Sequence, residues 1–263
     1  MNLIAIDIGN TTISIGLYLE GKEKSIETID GDACEQLEEC LKDYWQQIPV
    51  LASSKENKRD GVVVVSSVKP SWTDKIEKIV KELLGEKIYV MGDDIPLPIK
   101  LDMENPEKVG MDRIITASAA FAVVEKAVVV ADFGTAVTID LVDDRGVFVG
   151  GAILPGFAVS SKALSDNTAK LPEIVVKRPE YPFGKTTEEA INCGLYYAAI
   201  GALEEIIRRY SEVIGVWPET VITGSGAKVI KDDCPFIGSY VPNLVLQGIA
   251  LAYRKYLEER AEQ

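Results

Sequence analysis

Two short stretches hold the residues best suited to chemistry. Asp7-Ile8-Gly9-Asn10-Thr11-Thr12 and Asp132-Phe133-Gly134-Thr135-Ala136 each put an aspartate at the end of an apolar run and turn on a glycine just beyond it. Gly9 and Asn10 tolerate positive φ, so the first turn is expected to reverse tightly and aim its N–H groups at one spot, with the Thr11 and Thr12 hydroxyls beside them. Such an array is a nest for phosphate oxygens. Asp7 itself repels phosphate and would instead hold Mg²⁺, directly or through a water, facing those oxygens. The plain alternative is a type I′ hairpin with Asp7 as a turn-capping acid. Two such hairpins facing each other across a cleft would grip a polyphosphate from both sides. Positioning and charge neutralisation are most of what phosphoryl transfer requires.

A third stretch, Gly110-Met111-Asp112-Arg113, opens a helix after a proline-bearing loop. A carboxylate is favoured at a helix N-terminus, which makes a cap the plain reading of Asp112. In the functional reading Arg113 clamps a carboxylate or phosphate, while Asp112 accepts the proton of an attacking hydroxyl. The chain contains no histidine. Any general base is therefore a carboxylate, lysine, tyrosine or cysteine, and Ser-His-Asp chemistry is excluded. Cys34, Cys40, Cys193 and Cys234 form no CxxC pair and are expected to be ordinary thiols. Gly150-Gly151…Pro155-Gly156 reads as a structural turn. Gly224-Ser225-Gly226 reads either as a contact for an adenosine or as a glycine-rich connection without a ligand.

The elements that must position these residues are legible in the periodicity. Strands are expected at Leu3–Ile8, Ile13–Leu19 and Ser25–Thr28, a helix at Ala33–Trp45, and a strand buried on both faces at Gly61–Ser67. An amphipathic helix at Ser71–Leu84 and a strand at Lys87–Met91 follow, then a loop or lid at Ile95–Val109 and a helix at Asp112–Lys126. The opening pattern then returns as strands Ala127–Asp132, Ala136–Val142 and Val147–Ile153. A long helix Lys185–Tyr210, a strand Thr220–Thr223 and a closing helix Asn243–Arg260, capped by Asn243, complete the chain. Asp7 matches Asp132 and Gly9 matches Gly134 at one common offset, with apolar strands on both sides. This spacing indicates two related lobes rather than a solenoid. We expect residues 1–118 and 119–263 to form them, with the last helix packing back on the first.

The 41 acidic residues outnumber 28 lysines and arginines, for a formal charge of −13. So acidic a surface repels nucleic acid and anionic lipid, and neither is expected as a partner. No stretch reaches the roughly 18 apolar residues of a membrane span, and the first residues lack the basic start of a secretory signal. A cytoplasmic location is expected.

DIGNTTI (7–13), GMDR (110–113), DFGTAVTID (132–140), GGAILPG (150–156), the AL…TAKLP stretch (163–172) and GKTTEEAINCG (184–194) follow one another in an order that resembles the type III pantothenate kinases. These belong to the acetate kinase, sugar kinase, Hsp70 and actin superfamily, and the resemblance runs from Asp7 to about Gly248. It implies an α/β fold of duplicated actin-like (ribonuclease H-like) lobes, mixed sheets with flanking helices and an interlobe cleft. It implies an ATP-phosphate loop at Asp7, Ile8, Gly9, Asn10, Thr11, Thr12, Ile13 and Ser14, with Mg²⁺ near Asp7 and an ATP contact at Thr135. Gly110, Met111, Asp112 and Arg113 look like the pantothenate-binding motif, with Asp112 as proton acceptor. Asp132 looks like the ligand of a monovalent cation, K⁺ or NH₄⁺, and Thr187 like a threonine that contacts pantothenate from a helix start. The family acts as a homodimer with substrate pockets near the subunit interface and catalyses the first step of coenzyme A synthesis.

The chain departs from the family pattern at Met103, where many members carry tyrosine, at Gly184-Lys185-Thr186-Thr187, often Gly-x-Asn-Thr, and at Asn192-Cys193-Gly194, often Gln-Ser-Gly. A kinase of the same superfamily with another small acceptor is therefore an alternative. A nucleotide-binding regulator without turnover is a second, against which the joint presence of Asp7, Asp112, Arg113 and Asp132 argues.

Overall fold

The computed structural model of the chain describes residues 1–31, 33–51, 53–54 and 58–261. In chain order it forms β1 (Leu3–Ile8), β2 (Thr12–Leu19), β3 (Lys22–Asp30), α1 (Cys34–Gln47), β4 (Val62–Ser67), α2 (Pro70–Leu84) and β5 (Ile88–Val90). There follow β6 (Lys100–Leu101), a 3₁₀ turn at Pro106–Lys108, α3 (Met111–Val124), β7 (Val128–Phe133), β8 (Ala136–Val142) and β9 (Val147–Pro155). The last part holds α4 (Phe157–Asp166), α5 (Thr187–Ile214), β10 (Glu219–Thr223), α6 (Ala227–Ile230), β11 (Ser239–Tyr240) and α7 (Leu244–Ala261). Two compact units result. One comprises Met1–Pro98, Lys108–Ala119 and Val245–Gln263, the other Ile99–Glu107 and Ala120–Leu244.

The first unit is a five-stranded sheet in the order β3-β2-β1-β4-β5. β1 and β2 form an antiparallel hairpin, while β4 lies parallel to both β1 and β5. The valines of β4 are β-branched and suit a strand covered on both faces. Ile4, Ile6, Val63 and Val65 pack with Leu37, Leu41 and Tyr44 of α1 and Ile76 and Val80 of α2. Leu3, Ala5 and Val64 instead join Ile115 of α3 and Leu246 and Ile249 of α7. The last helix thus returns to the first sheet and seats α3. A β carbon on Gly248 would stand 2.5 Å from Ile115 Cγ2 and 2.8 Å from its carbonyl oxygen, so glycine lets α7 lie directly on the α3 backbone. α2 starts on Pro70 at its first turn and stops at Gly85, whose φ of 70° suits glycine.

The second unit repeats the plan. Its sheet runs β11-β10-β7-β8-β9-β6. β7, β8 and β9 make an antiparallel meander, and β10 and β11 extend it in parallel beyond β7, as β4 and β5 do beyond β1. The one addition is β6, which pairs with β9; it arises from the stretch expected to be a loop at Ile95–Val109. α5 covers this sheet through Tyr196, Leu203 and Ile207, which pack against Val129, Ala131 and Ile139. α5 starts at Thr187, two residues later than the periodicity suggested, because Thr186 and Glu189 form a reciprocal capping box. α4 has no counterpart among the expected elements: Gly156 stands at its N-cap and supplies no side-chain cap.

Candidate active site

Asp7 stands near the C-terminal end of β1, in register with Ser14 on β2 and Ser66 on β4. Ser66 is fully buried and its hydroxyl donates to Asp7 Oδ1 at 3.0 Å. Beyond the acid the chain reverses at residues 9–12, where Gly9 N–H donates to the Thr12 carbonyl at 3.0 Å. Neither Gly9 nor Asn10 has positive φ, which corrects the expectation drawn from their tolerance of it and removes the type I′ hairpin as the alternative. The bend is closed by the Gly9–Thr12 hydrogen bond instead, and a β carbon on Gly9 would crowd the Thr12 oxygen at 3.2 Å. Asn10 and Thr11 are exposed at the tip. Ile8 and Ile13 are buried in the core, so they anchor the bend and offer a ligand only main chain. Ser14 Oγ lies 3.2 Å from Thr28 Oγ1. The Thr11 carbonyl accepts Gly31 N–H at 3.0 Å. The Trp72 ring fills the place where a β carbon of Gly31 would project, 1.4 Å from Cη2.

In the same unit, the start of α3 presents Gly110, Met111, Asp112 and Arg113. Asp112 Oδ1 accepts Arg113 N–H at 2.9 Å, and the Thr116 hydroxyl donates to the Asp112 carbonyl at 2.9 Å. The carboxyl is partly buried. Burial pushes it above the ordinary aspartate range, against the opposing pull of the Arg113 N–H and guanidinium. Met111 packs over Gly92, where φ is 92° and a β carbon would meet Met111 Cε at 2.7 Å.

The second unit repeats the acidic bend in shorter form. Asp132 pairs with Thr138 on β8 and Thr223 on β10, and Gly134 N–H donates to the Ala136 carbonyl at 3.0 Å. Thr135 is exposed, and its carbonyl accepts Gly156 N–H at 3.0 Å. Glycines press on this bend from two sides. β carbons would stand 2.2 Å from Gly134 O if placed on Gly156, and 2.3 Å from Asp132 Oδ1 if placed on Gly224, whose φ is +87°. Gly226 N–H donates to Phe133 O at 2.9 Å. A cavity of roughly 270 Å³ opens beside the bend, lined by Phe133, Gly134, Phe157, Ile174, Ser225 and Gly226 among others. Thr187 is exposed at the first turn of α5.

Asp7 is a hard oxygen donor of the kind Mg²⁺ takes alongside substrate phosphates. Asp132 likewise has backbone close by, and among the described residues no three His, Cys, Asp or Glu side chains gather as a metal cluster. Sequence reasoning passed over Ser66, which sits in a run of valines, the Gly31–Trp72 contact, and the Phe157 wall of the cavity.

Residues 3–209 match the family described as type III pantothenate kinase. A type III pantothenate kinase of Persephonella marina is 34% identical over 247 residues, covering 94% of this chain and 96% of the relative. Among solved structures, one from Campylobacter jejuni, described as a candidate Baf family transcriptional activator, superposes with a TM-score of 0.60 at 19% identity, covering 99% and 100% of the two chains. MreB5 of Spiroplasma citri bound to AMPPNP gives 0.51 at 11% identity, covering 99% and 98%. These structural likenesses carry the fold alone, the duplicated actin-like α/β architecture.

Proposed function

The chain belongs to the type III pantothenate kinase family, and from that premise we propose how its residues carry out the reaction. It is a kinase of coenzyme A biosynthesis that phosphorylates pantothenate at the expense of ATP. The acceptor is an alcohol, and its proton has to leave as the phosphoryl group arrives. Asp112 takes that proton. The observation that supports this role is its carboxyl at the start of α3, partly buried and raised in basicity. Arg113, the next residue, orients the pantothenate carboxylate by a charge-assisted clamp, and the Thr187 hydroxyl makes a further substrate contact. Gly110 and Met111, which lead into Asp112 and Arg113, complete that substrate motif.

The bend from Asp7 to Ser14 receives the ATP phosphates on its N–H groups and the Thr11 and Thr12 hydroxyls, and Thr135 makes another ATP contact. Asp7 would hold Mg²⁺, which when bound neutralises phosphate oxygens as charge develops on them. Asp132 would hold K⁺ or NH₄⁺. The family resemblance supports a homodimer working in the cytoplasm; among the described residues no helix is long and apolar enough to cross a membrane. The test is phosphopantothenate formation by the purified chain with and without K⁺ or NH₄⁺, repeated on Asp132→Asn. Loss of cation activation in the variant is expected; full activation without the Asp132 carboxylate would overturn the cation assignment.

A further inference from the structure

β4 is a run of four valines followed by Ser66 and Ser67. Ser66 is fully buried, where alanine or valine would fill the space without a hydroxyl needing a partner. The parallel register of β1 and β4 sets Ser66 directly beside Asp7, and its hydroxyl donates to Oδ1 at 3.0 Å. The second unit keeps the plan and changes the bond. Thr223 on β10 is in register with Asp132, and it too is buried. Its hydroxyl, however, is directed to the Pro242 carbonyl at 3.5 Å.

The duplicated sheets thus agree on a small buried hydroxyl beside each acid and differ in where its proton goes. The terminal torsion of aspartate is broad and roughly two-fold, so a buried donor on one oxygen favours one orientation of the carboxylate plane. Mg²⁺ demands near-ideal octahedral geometry, whereas a large monovalent cation tolerates more. We infer that Ser66 is a positioning residue: its hydroxyl fixes the Asp7 carboxylate in the orientation that meets Mg²⁺ and the ATP phosphates. The inference rests on the role proposed above for Asp7.

The test uses the full chain carrying Ser66→Ala, with ADP binding followed by calorimetry as Mg²⁺ is titrated, and turnover measured alongside. Groups that hydrogen-bond a metal ligand are typically worth about 10–100-fold in affinity or activity. We expect the half-saturating Mg²⁺ to rise about tenfold or more, with kcat/KM for ATP falling comparably and KM for pantothenate unchanged. Ser66→Thr and Ser66→Val have the same shape and differ in the hydroxyl, so Thr is expected to retain tight Mg²⁺ dependence and Val to lose it. Equal behaviour of those two variants overturns the inference, whether or not Ser66→Ala folds well. Asp7→Asn runs in parallel. If it abolishes Mg²⁺-dependent binding while Ser66→Ala stays within about twofold of the parent, Ser66 does not position the acid. If Asp7→Asn itself binds Mg²⁺ and ADP normally, the role of Asp7 fails and the inference fails with it.

Discussion

A β carbon on Gly110 would stand 2.5 Å from Asp112 Oδ1. The carboxyl of Asp112 therefore curls back over the residue that precedes its helix, into space that only glycine leaves open. There Oδ1 takes Arg113 N–H at 2.9 Å. One small residue thus lets the acid be both oriented by the helix start and withdrawn from water, and that withdrawal raises its basicity. The plain capping role and the catalytic role proposed for Asp112 are compatible: the hydrogen bond from Arg113 N–H that satisfies the helix start also orients the carboxyl.

Asp112→Asn keeps the shape and an acceptor for Arg113 N–H but cannot take a proton. Turnover should fall by about 10²–10⁴, with ADP binding nearly intact. Because the carboxyl is raised, the acid limb of the parent's kcat/KM profile should lie above the ordinary aspartate value of about 3.9. Stability follows the same sign. A folded pKa above the unfolded one favours folding below the unfolded value, and that contribution is lost as pH rises through the folded value. The asparagine variant should therefore melt at or above the parent's temperature at neutral pH. Near-parental turnover would remove Asp112 as the base.

Gly110→Ala separates catalysis from folding. The atom in its way is the far end of a side chain, which can swing aside, so the melting temperature should hold while the carboxylate loses its place. Misplacing a catalytic group by about 1 Å can cost on the order of 10²-fold. A large fall in kcat with little change in melting is the expected result; unchanged kcat would show that the position of the carboxylate is not critical.

Gly224→Ala should behave in the opposite way. Its new β carbon would meet Asp132 Oδ1 at 2.3 Å and Phe133 backbone atoms at 2.7 and 2.8 Å, and φ is +87°. Backbone cannot swing aside, and strained conformations of this kind cost about 1–3 kcal/mol each. Thermal melting should drop by several degrees, and activation by K⁺ should weaken because Asp132 is displaced. A parental melting temperature would show that the bend yields.

These contacts mark where the sequence can be read and where it cannot. The duplication was legible because Asp7-x-Gly9 and Asp132-x-Gly134 stand between apolar strands in the same order, and the strand pairings repeat accordingly. The start of α3 was legible from an acid near a helix N-terminus after prolines. Gly224 stood out only as part of a glycine-rich connection; its need for glycine arises from Asp132, far away in the chain. Ser66 was hidden in a valine run whose burial pattern alone marks it as core. α4 lacks a polar cap and so has no start signal, and β6 is too short to show a period. The positive φ expected at Gly9 and Asn10 is absent because one backbone bond, Gly9 N–H to Thr12 O, closes the bend.

Asp143 offers a test in pH that is independent of catalysis. It opens the turn between β8 and β9, with Oδ1 accepting Arg145 N–H at 3.0 Å and Val147 N–H at 2.9 Å. Oδ2 takes Arg145 Nε at 2.8 Å and Nη2 at 2.6 Å. Burial works to raise the carboxyl, but Val147 N–H and the Arg145 side chain and N–H outweigh it, and the net direction is down. A lowered folded pKa contributes stability above the unfolded value, which is lost as pH falls through the folded one. Asp143→Ala should thus cost about 1–3 kcal/mol at neutral pH, and the gap in melting temperature from the parent should narrow in acid. The Arg145 side chain is 74% exposed, so its half of the pair is screened by solvent and salt. Arg145→Ala should therefore cost less than Asp143→Ala, because the two backbone donors remain. If Arg145→Ala costs as much, the ion pair rather than the turn's own N–H groups holds the bend.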